Sequence, residues 1–182
     1  MWGDSLTVPV ADYLPVLLPN RTVFNGGVVA ETSRQIATRQ IDAGAPYNTW
    51  VNIFWYGHNN QAWPDMIKAD LASSIARLAP GNDRFLVLSV LNRATPAESR
   101  GQPLYASIMQ LNRDLAALYG PNFFDMRAYL VGQANAALPQ DVQDQQNDVV
   151  PSSLRMDEIH LNPAGSRLVA AKLKELLEAR GW

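Results

Sequence analysis

Three short stretches of this sequence gather polar residues that could do chemistry. They are Gly3-Asp4-Ser5-Leu6-Thr7, Gly57-His58-Asn59-Asn60 and Asp157-Glu158-Ile159-His160. A serine hydroxyl becomes a useful nucleophile when a base lies within hydrogen-bond reach and a carboxylate holds that base in the right tautomer. The chain has two histidines, His58 and His160, so the search for a base is narrow. Asp157 and His160, three residues apart, can face one point. The aspartate would accept from Nδ1 and leave Nε2 free to take the Ser5 proton. Attack on a carbonyl also needs donors aimed at the developing oxyanion, and the Asn59 amide with the Ser5 N–H could supply two. Each residue has a plainer reading. Ser5 could cap a helix, Asp157 could be a carboxylate favoured by a helix dipole, and Asp4 reads as a residue that orders its loop. A metal shared by the two histidines is the weakest alternative, because no His-Glu-x-x-His spacing supports it.

The elements that must position these residues alternate between buried runs and amphipathic segments. Val10 to Leu18 reads as a weak helix interrupted by Pro15. Thr22 to Phe24 is β-prone and ends at a turn signal, Asn25-Gly26-Gly27. Thr32 to Ala43 reads as a helix, with Thr32 and Gln35 spaced as a capping box. Thr49 to Tyr56 and Phe85 to Leu91 read as central buried strands, rich in β-branched and aromatic residues. Trp55 and Tyr56 should point to opposite faces of the sheet. Ile67, Leu71, Ile75 and Leu78 mark one helix, and Ile108, Leu111, Leu115 and Leu118 another. Between them, Asn92 to Pro103 reads as a solvated loop. Asn122 to Asp125 is a short strand, Arg127 to Ala137 is helical, and the polar segment from Gln140 to Ser153 reads as a long surface loop. Asn162 caps the last helix, with Pro163 at its first position. This alternation predicts a doubly wound parallel sheet of about five strands, helices on both faces, in a three-layer α/β/α domain spanning 1–182. In such sheets the site lies outside the carboxyl ends of the strands. All three polar stretches fall at those ends or beside the last helix.

Composition removes several classes. At 182 residues and 47% hydrophobic the chain can bury a full core without disulfides or metals. Zero cysteines rule out thiol catalysis and thiolate zinc sites. With 15 Lys+Arg against 17 Asp+Glu there is no basic stripe, so no nucleic-acid partner is expected. No apolar run is long enough to span a bilayer, and no signal-peptide pattern is visible. The compartment and the oligomeric state stay open.

Taken together and in order, these stretches resemble the SGNH (GDSL) hydrolase family. Gly3-Asp4-Ser5-Leu6 matches its first block, Asn25 to Ser33 (NGGVVAETS) its second, Gly57-x-Asn59 its third and Asp157-x-x-His160 its fifth. The resemblance implies a serine esterase with no cofactor and no metal, using Ser5, His160 and Asp157 as the triad. The oxyanion would be held by Ser5 and Ala30 N–H groups and by Asn59. Ala30 stands where the family has glycine, so its N–H donor survives if that position does not need φ > 0, which alanine tolerates poorly; Gly27 is the donor in the alternative register. Asn60 replaces a common aspartate and is expected to be structural. His58, in the third block's variable position, is expected on the site rim, and Trp63 is read as either core or a surface that stacks on substrate. The first strand is expected to be truncated to Met1 and Trp2. The resemblance points to short acyl esters, acetyl on carbohydrate first among them, with an O-acyltransferase accessory or carbohydrate-binding domain of a cell-surface protein as the alternative.

Overall fold

A computed structural model describes residues 1–182. Five parallel strands form one sheet in the order β2-β1-β3-β4-β5. They are β1 (Trp2–Gly3), β2 (Gly26–Gly27), β3 (Asn52–Trp55), β4 (Phe85–Leu88) and β5 (Phe123–Phe124). Seven helices surround it: α1 (Thr7–Leu17), α2 (Ser33–Ala43), α3 (Pro64–Ile75), α4 (Pro103–Tyr119), α5 (Met126–Val131), α6 (Pro139–Gln146) and α7 (Pro163–Ala179).

The period-2 alternation of the strands divides the core. Ile53, Trp55, Leu86 and Leu88 pack with Val10 and Leu14 of α1, Leu130 of α5 and Leu173 of α7. Phe54, Tyr56 and Val87 pack on the other side with Ile36 of α2, Ile67 and Leu71 of α3, and Leu111 and Leu115 of α4. Trp55 and Tyr56 therefore do face opposite layers, and the result is the expected three-layer α/β/α arrangement. No helix is long and apolar enough to cross a membrane.

Five expectations fail, each for a tertiary reason. α1 begins at Thr7 and runs through Pro15. Its buried Val10, Ala11 and Leu14 outweigh the one backbone bond that proline removes. The second strand is the glycine pair itself, not Thr22–Phe24. Gly26 lies so close to β1 that a Cβ would sit 2.7 Å from Met1 O. The polar stretch after Gln140 is not a surface loop, because it folds into α6, whose Asp141 and Asp144 point inward. Asp141 accepts from the N–H of Asn135 at 3.0 Å and of Ser153 at 3.0 Å, and Asp144 accepts from the N–H of Ser152 at 2.7 Å. α5 ends at Val131 rather than continuing to Ala137. Leu118 is 61% exposed, at the border of the α4 apolar stripe about 80° round from Ile108.

Caps read from sequence are in place. The Thr32 N–H donates to Gln35 Oε1 at 2.9 Å, and Asn162 Oδ1 accepts from the N–H groups of Ala164 and Gly165.

Candidate active site

Ser5 lies two residues beyond the end of β1 and stands at the carboxyl edge of the sheet, half-buried. The loops after β2, β3 and β4 open on the same edge. Ser5 Oγ lies 3.1 Å from His160 Nε2, and His160 Nδ1 lies 2.8 Å from Asp157 Oδ2. The network assigns the tautomer: with Nδ1–H donating to Asp157, Nε2 accepts from the serine.

The loop carrying Asp157 and His160 is held from within. Asp157 Oδ1 accepts from the N–H of Ile159 at 2.7 Å and of His160 at 2.6 Å. The Met156 N–H donates to His160 O at 2.9 Å, and Arg155 and Leu161 form an antiparallel bridge. The carboxyl of Asp157 is thus fixed by its own backbone before it orients the imidazole. Partial desolvation pushes its pKa up, but the hydrogen bonds from His160 and Ile159 outweigh that and lower it to about 2. It therefore stays ionised at neutral pH.

Asp4 differs from its neighbour Ser5 in being almost wholly buried. Its Oδ1 accepts from the Leu6 N–H at 3.0 Å, which orders the turn presenting Ser5. Burial pushes its carboxyl up to about 7, against the lowering effect of that bond.

Three donors singled out in the sequence keep hydrogens that no protein group accepts. The Ser5 and Ala30 N–H groups bond no protein acceptor. The Asn59 amide donates one hydrogen to Glu31 O at 2.9 Å, which sets Asn59 against the Ala30–Glu31 peptide and leaves its second hydrogen free. Gly27 is not a comparable donor, because its N–H is spent on Asn25 Oδ1 at 3.0 Å. Ala30 adopts φ 65°, the left-handed region that an alanine tolerates poorly. The strained turn is clamped by groups the sequence did not single out. Arg39 donates to Glu31 Oε2 at 2.7 Å and to Gly26 O at 2.9 Å. Sequence spacing offered no signal for this clamp, since Arg39 reaches back across the start of α2.

In the third block, Gly57 has φ 102°, and a Cβ there would lie 2.9 Å from Ile67 Cδ1. Only glycine fits this exit from β3. His58 is not a rim residue: it is 2% exposed, with Nδ1 3.2 Å from Leu91 O and Nε2 buried without a partner. Burial lowers its pKa to about 4, so it is neutral. It faces inward, against the segment that follows β4. Asn60 is structural, as expected. Its Oδ1 accepts from the Ser33 N–H and its Nδ2 donates to Ser33 Oγ, both at 2.9 Å, and Ser33 Oγ donates in turn to Asp70. Trp63 is 58% exposed at the start of α3 and so is not core. The loop from Asn92 to Pro103 is not simply solvated, because Glu98 is buried within it.

Sequence comparison finds no matching family model and no matching curated protein. Solved structures nevertheless superpose over nearly the whole chain. A GDSL-like lipase from Bacteroides thetaiotaomicron matches with a TM-score of 0.70 at 20% identity, covering 98% of this chain and 86% of its own. The fold is that of the SGNH (GDSL) hydrolases. An acetyl xylan esterase has the same SGNH fold, with a TM-score of 0.71 at 17% identity over 96% of each chain. So does the C-terminal catalytic domain of the peptidoglycan O-acetyltransferase OatA from Streptococcus pneumoniae, with a TM-score of 0.62 at 15% identity, covering 97% of this chain and 90% of that one.

Proposed function

We propose that this SGNH-fold chain is a serine ester hydrolase for small acyl groups. The observation that carries the reading is the run of contacts from Ser5 Oγ through the His160 ring to Asp157, at 3.1 and 2.8 Å. Ser5 Oγ attacks the ester carbonyl while its proton passes to His160 Nε2, and the carbonyl electron pair moves onto oxygen. The N–H groups of Ser5 and Ala30 and the Asn59 amide hold that oxyanion. Collapse breaks the bond to the alcohol, which leaves with the proton from His160, and Ser5 is left acylated. Water, deprotonated by the same imidazole, repeats the sequence and releases the acid. Asp157 keeps its charge throughout and steadies the imidazolium.

Site shape supports a small acyl group. Two cavities of about 420 and 390 Å³ lie away from Ser5, and neither is lined by Ser5, Asn59 or His160. His160 and Asp157 are partly open to solvent, so the reacting ester sits in a shallow place on the edge of the sheet. Such a site suits an acetyl group carried on a larger, solvent-borne molecule such as a carbohydrate, for which exposed Trp63 offers a stacking face. The likeness to an acetyl xylan esterase fits that class. The likeness to an O-acetyltransferase domain favours one second reading, in which a sugar hydroxyl replaces water in the second half-reaction.

The test is hydrolysis of 4-nitrophenyl esters from acetate to decanoate by the intact chain, with and without a carbohydrate acceptor. Turnover should fall steeply beyond butyrate. Ser5→Ala and His160→Ala should lose it, and Asn59→Ala should lower kcat by about 10²–10³-fold. Full activity in folded Ser5→Ala would overturn the scheme. Acylated acceptor in place of free acid would establish transfer.

A further inference from the structure

Beyond the triad and its donors, one charged side chain at this edge makes no hydrogen bond to the protein and meets only the Glu98 carboxylate, at 3.7 Å. Arg93 lies on the segment after β4 that crosses the carboxyl edge of the sheet. At one end of that segment Leu91 O is 3.2 Å from His58 Nδ1, next to Asn59. At the other end the Ala94 N–H donates to Glu158 O at 2.9 Å, inside the loop of Asp157 and His160. Arg93 therefore stands between the third block and the loop that carries the acid and base. Its charge is felt at His58, where it adds to burial in keeping that imidazole neutral.

The Arg93 side chain is only 35% exposed, yet its guanidinium donates no hydrogen bond to the protein. Nε is fully covered and unpartnered, whereas the terminal nitrogens are not. The neighbouring carboxylate, Glu98, is already committed. Its Oε1 accepts from Gln61 Nε2 at 2.9 Å and its Oε2 from the Arg93 backbone N–H at 2.6 Å, leaving Oε1 3.7 Å from Arg93 Nε. The other arginines that are not exposed are all satisfied: Arg39 by Glu31, Arg127 by Asn92 and Asp148, Arg155 by Asp144 and Val150, and Arg180 by Leu176 and Pro121 carbonyls. The terminal N–H groups of Arg93 stay open toward solvent, and a planar fork of such donors matches the two oxygens of a carboxylate.

We propose that Arg93 is a specificity residue that receives a carboxylate carried by the ester substrate, in either its acyl or its alcohol half. The proposal rests on the ester-hydrolase reading and narrows its substrate class to acidic esters. Glu98 and Gln61 position the guanidinium, and the neutral His58 adds no competing cation.

The experiment compares the intact protein with Arg93→Gln and Arg93→Lys on three esters. These are 4-nitrophenyl acetate, 4-nitrophenyl hemisuccinate (carboxylate in the acyl half) and 4-carboxyphenyl acetate (carboxylate in the alcohol half). Arg93→Gln should leave kcat/KM on the neutral acetate within about twofold. It should lower one of the acidic esters by about 10- to 100-fold, the size expected for losing a charge-assisted bond. Arg93→Lys should recover part of that loss, and the ester that falls identifies the half that carries the charge. In parallel, the Arg93 Nε–H resonance of Ser5→Ala should shift on addition of succinate or 4-hydroxybenzoate. Equal losses on all three esters, or no selective loss together with an unmoved resonance, overturn the subsite. A resonance that shifts in a protein that hydrolyses none of the esters keeps the subsite and overturns the hydrolase reading instead.

Discussion

Ala30 offers a perturbation whose sign and size follow from one dihedral angle. At φ 65° its methyl group sits in the left-handed region, where an L-residue is disfavoured by about 1–2 kcal/mol. Ala30→Gly removes that strain but widens the unfolded ensemble, which offsets about 0.4–1 kcal/mol. The net gain is about 0–1.6 kcal/mol, or up to about 6 °C in Tm for a chain of this length. Because the N–H keeps its direction, kcat on 4-nitrophenyl acetate should be unchanged. Ala30→Val tests the converse. A β-branched residue is far less tolerant of this region, so the turn must either stay strained or relax to negative φ and rotate the N–H away. Stability should drop by about 1–3 kcal/mol. A relaxed turn would also lower kcat by up to about 10²–10³-fold, the effect of losing one oxyanion donor. Urea unfolding and steady-state kinetics on all three proteins are the assay. A glycine variant less stable than the parent by more than about 1 kcal/mol, or a valine variant with full stability and full kcat, would refute both the strain and the role of this N–H.

Other perturbations follow from single contacts. Burial raises Asp4 to about 7, so between about pH 4 and 7 the folded protein holds a proton that the unfolded chain has released. That group's contribution to stability is therefore present in acid and lost as pH rises through 7, with a slope of at most about 1.4 kcal/mol per pH unit. Asp4→Asn, which keeps the acceptor for Leu6, should flatten the Tm–pH curve in that window, and parallel curves would contradict the reasoning. Asn60→Asp would place a second buried carboxylate on Ser33, which already serves Asp70. It should destabilise the fold by about 1–3 kcal/mol, measured by thermal melting, and Asp70→Asn should restore much of the loss. Arg39→Gln releases Glu31 and Gly26 O and with them the turn at Ala30. It should lower kcat on 4-nitrophenyl acetate by about tenfold or more with the fold intact by circular dichroism, and an unchanged kcat would show that the turn holds itself.

Much was legible in the residues because it depends on local rules. Asn52–Trp55 and Phe85–Leu88 are apolar on both faces, which only a strand covered by two helical layers can use. Thr32 with Gln35, and Asn162 with Pro163, mark helix starts through the needs of unpaired N–H groups. His160 was legible as a candidate base because the chain has two histidines, and Asp157 three residues before it and the Gly3-Asp4-Ser5-Leu6 run marked its candidate partners. What the sequence could not determine depends on partners distant along the chain. The Gly26–Gly27 pair carries a turn signal and becomes a strand because β1 approaches too closely for any side chain. α6 is polar apart from Pro139 and Val142 and folds because Asp141 and Asp144 find donors near residues 135 and 152. Whether His58 faces solvent or the core, whether Ala30 must take a positive φ, and whether Arg93 has an anion to hold are decided by packing. In each case the same residue type serves either outcome, and only the groups brought against it in three dimensions choose between them.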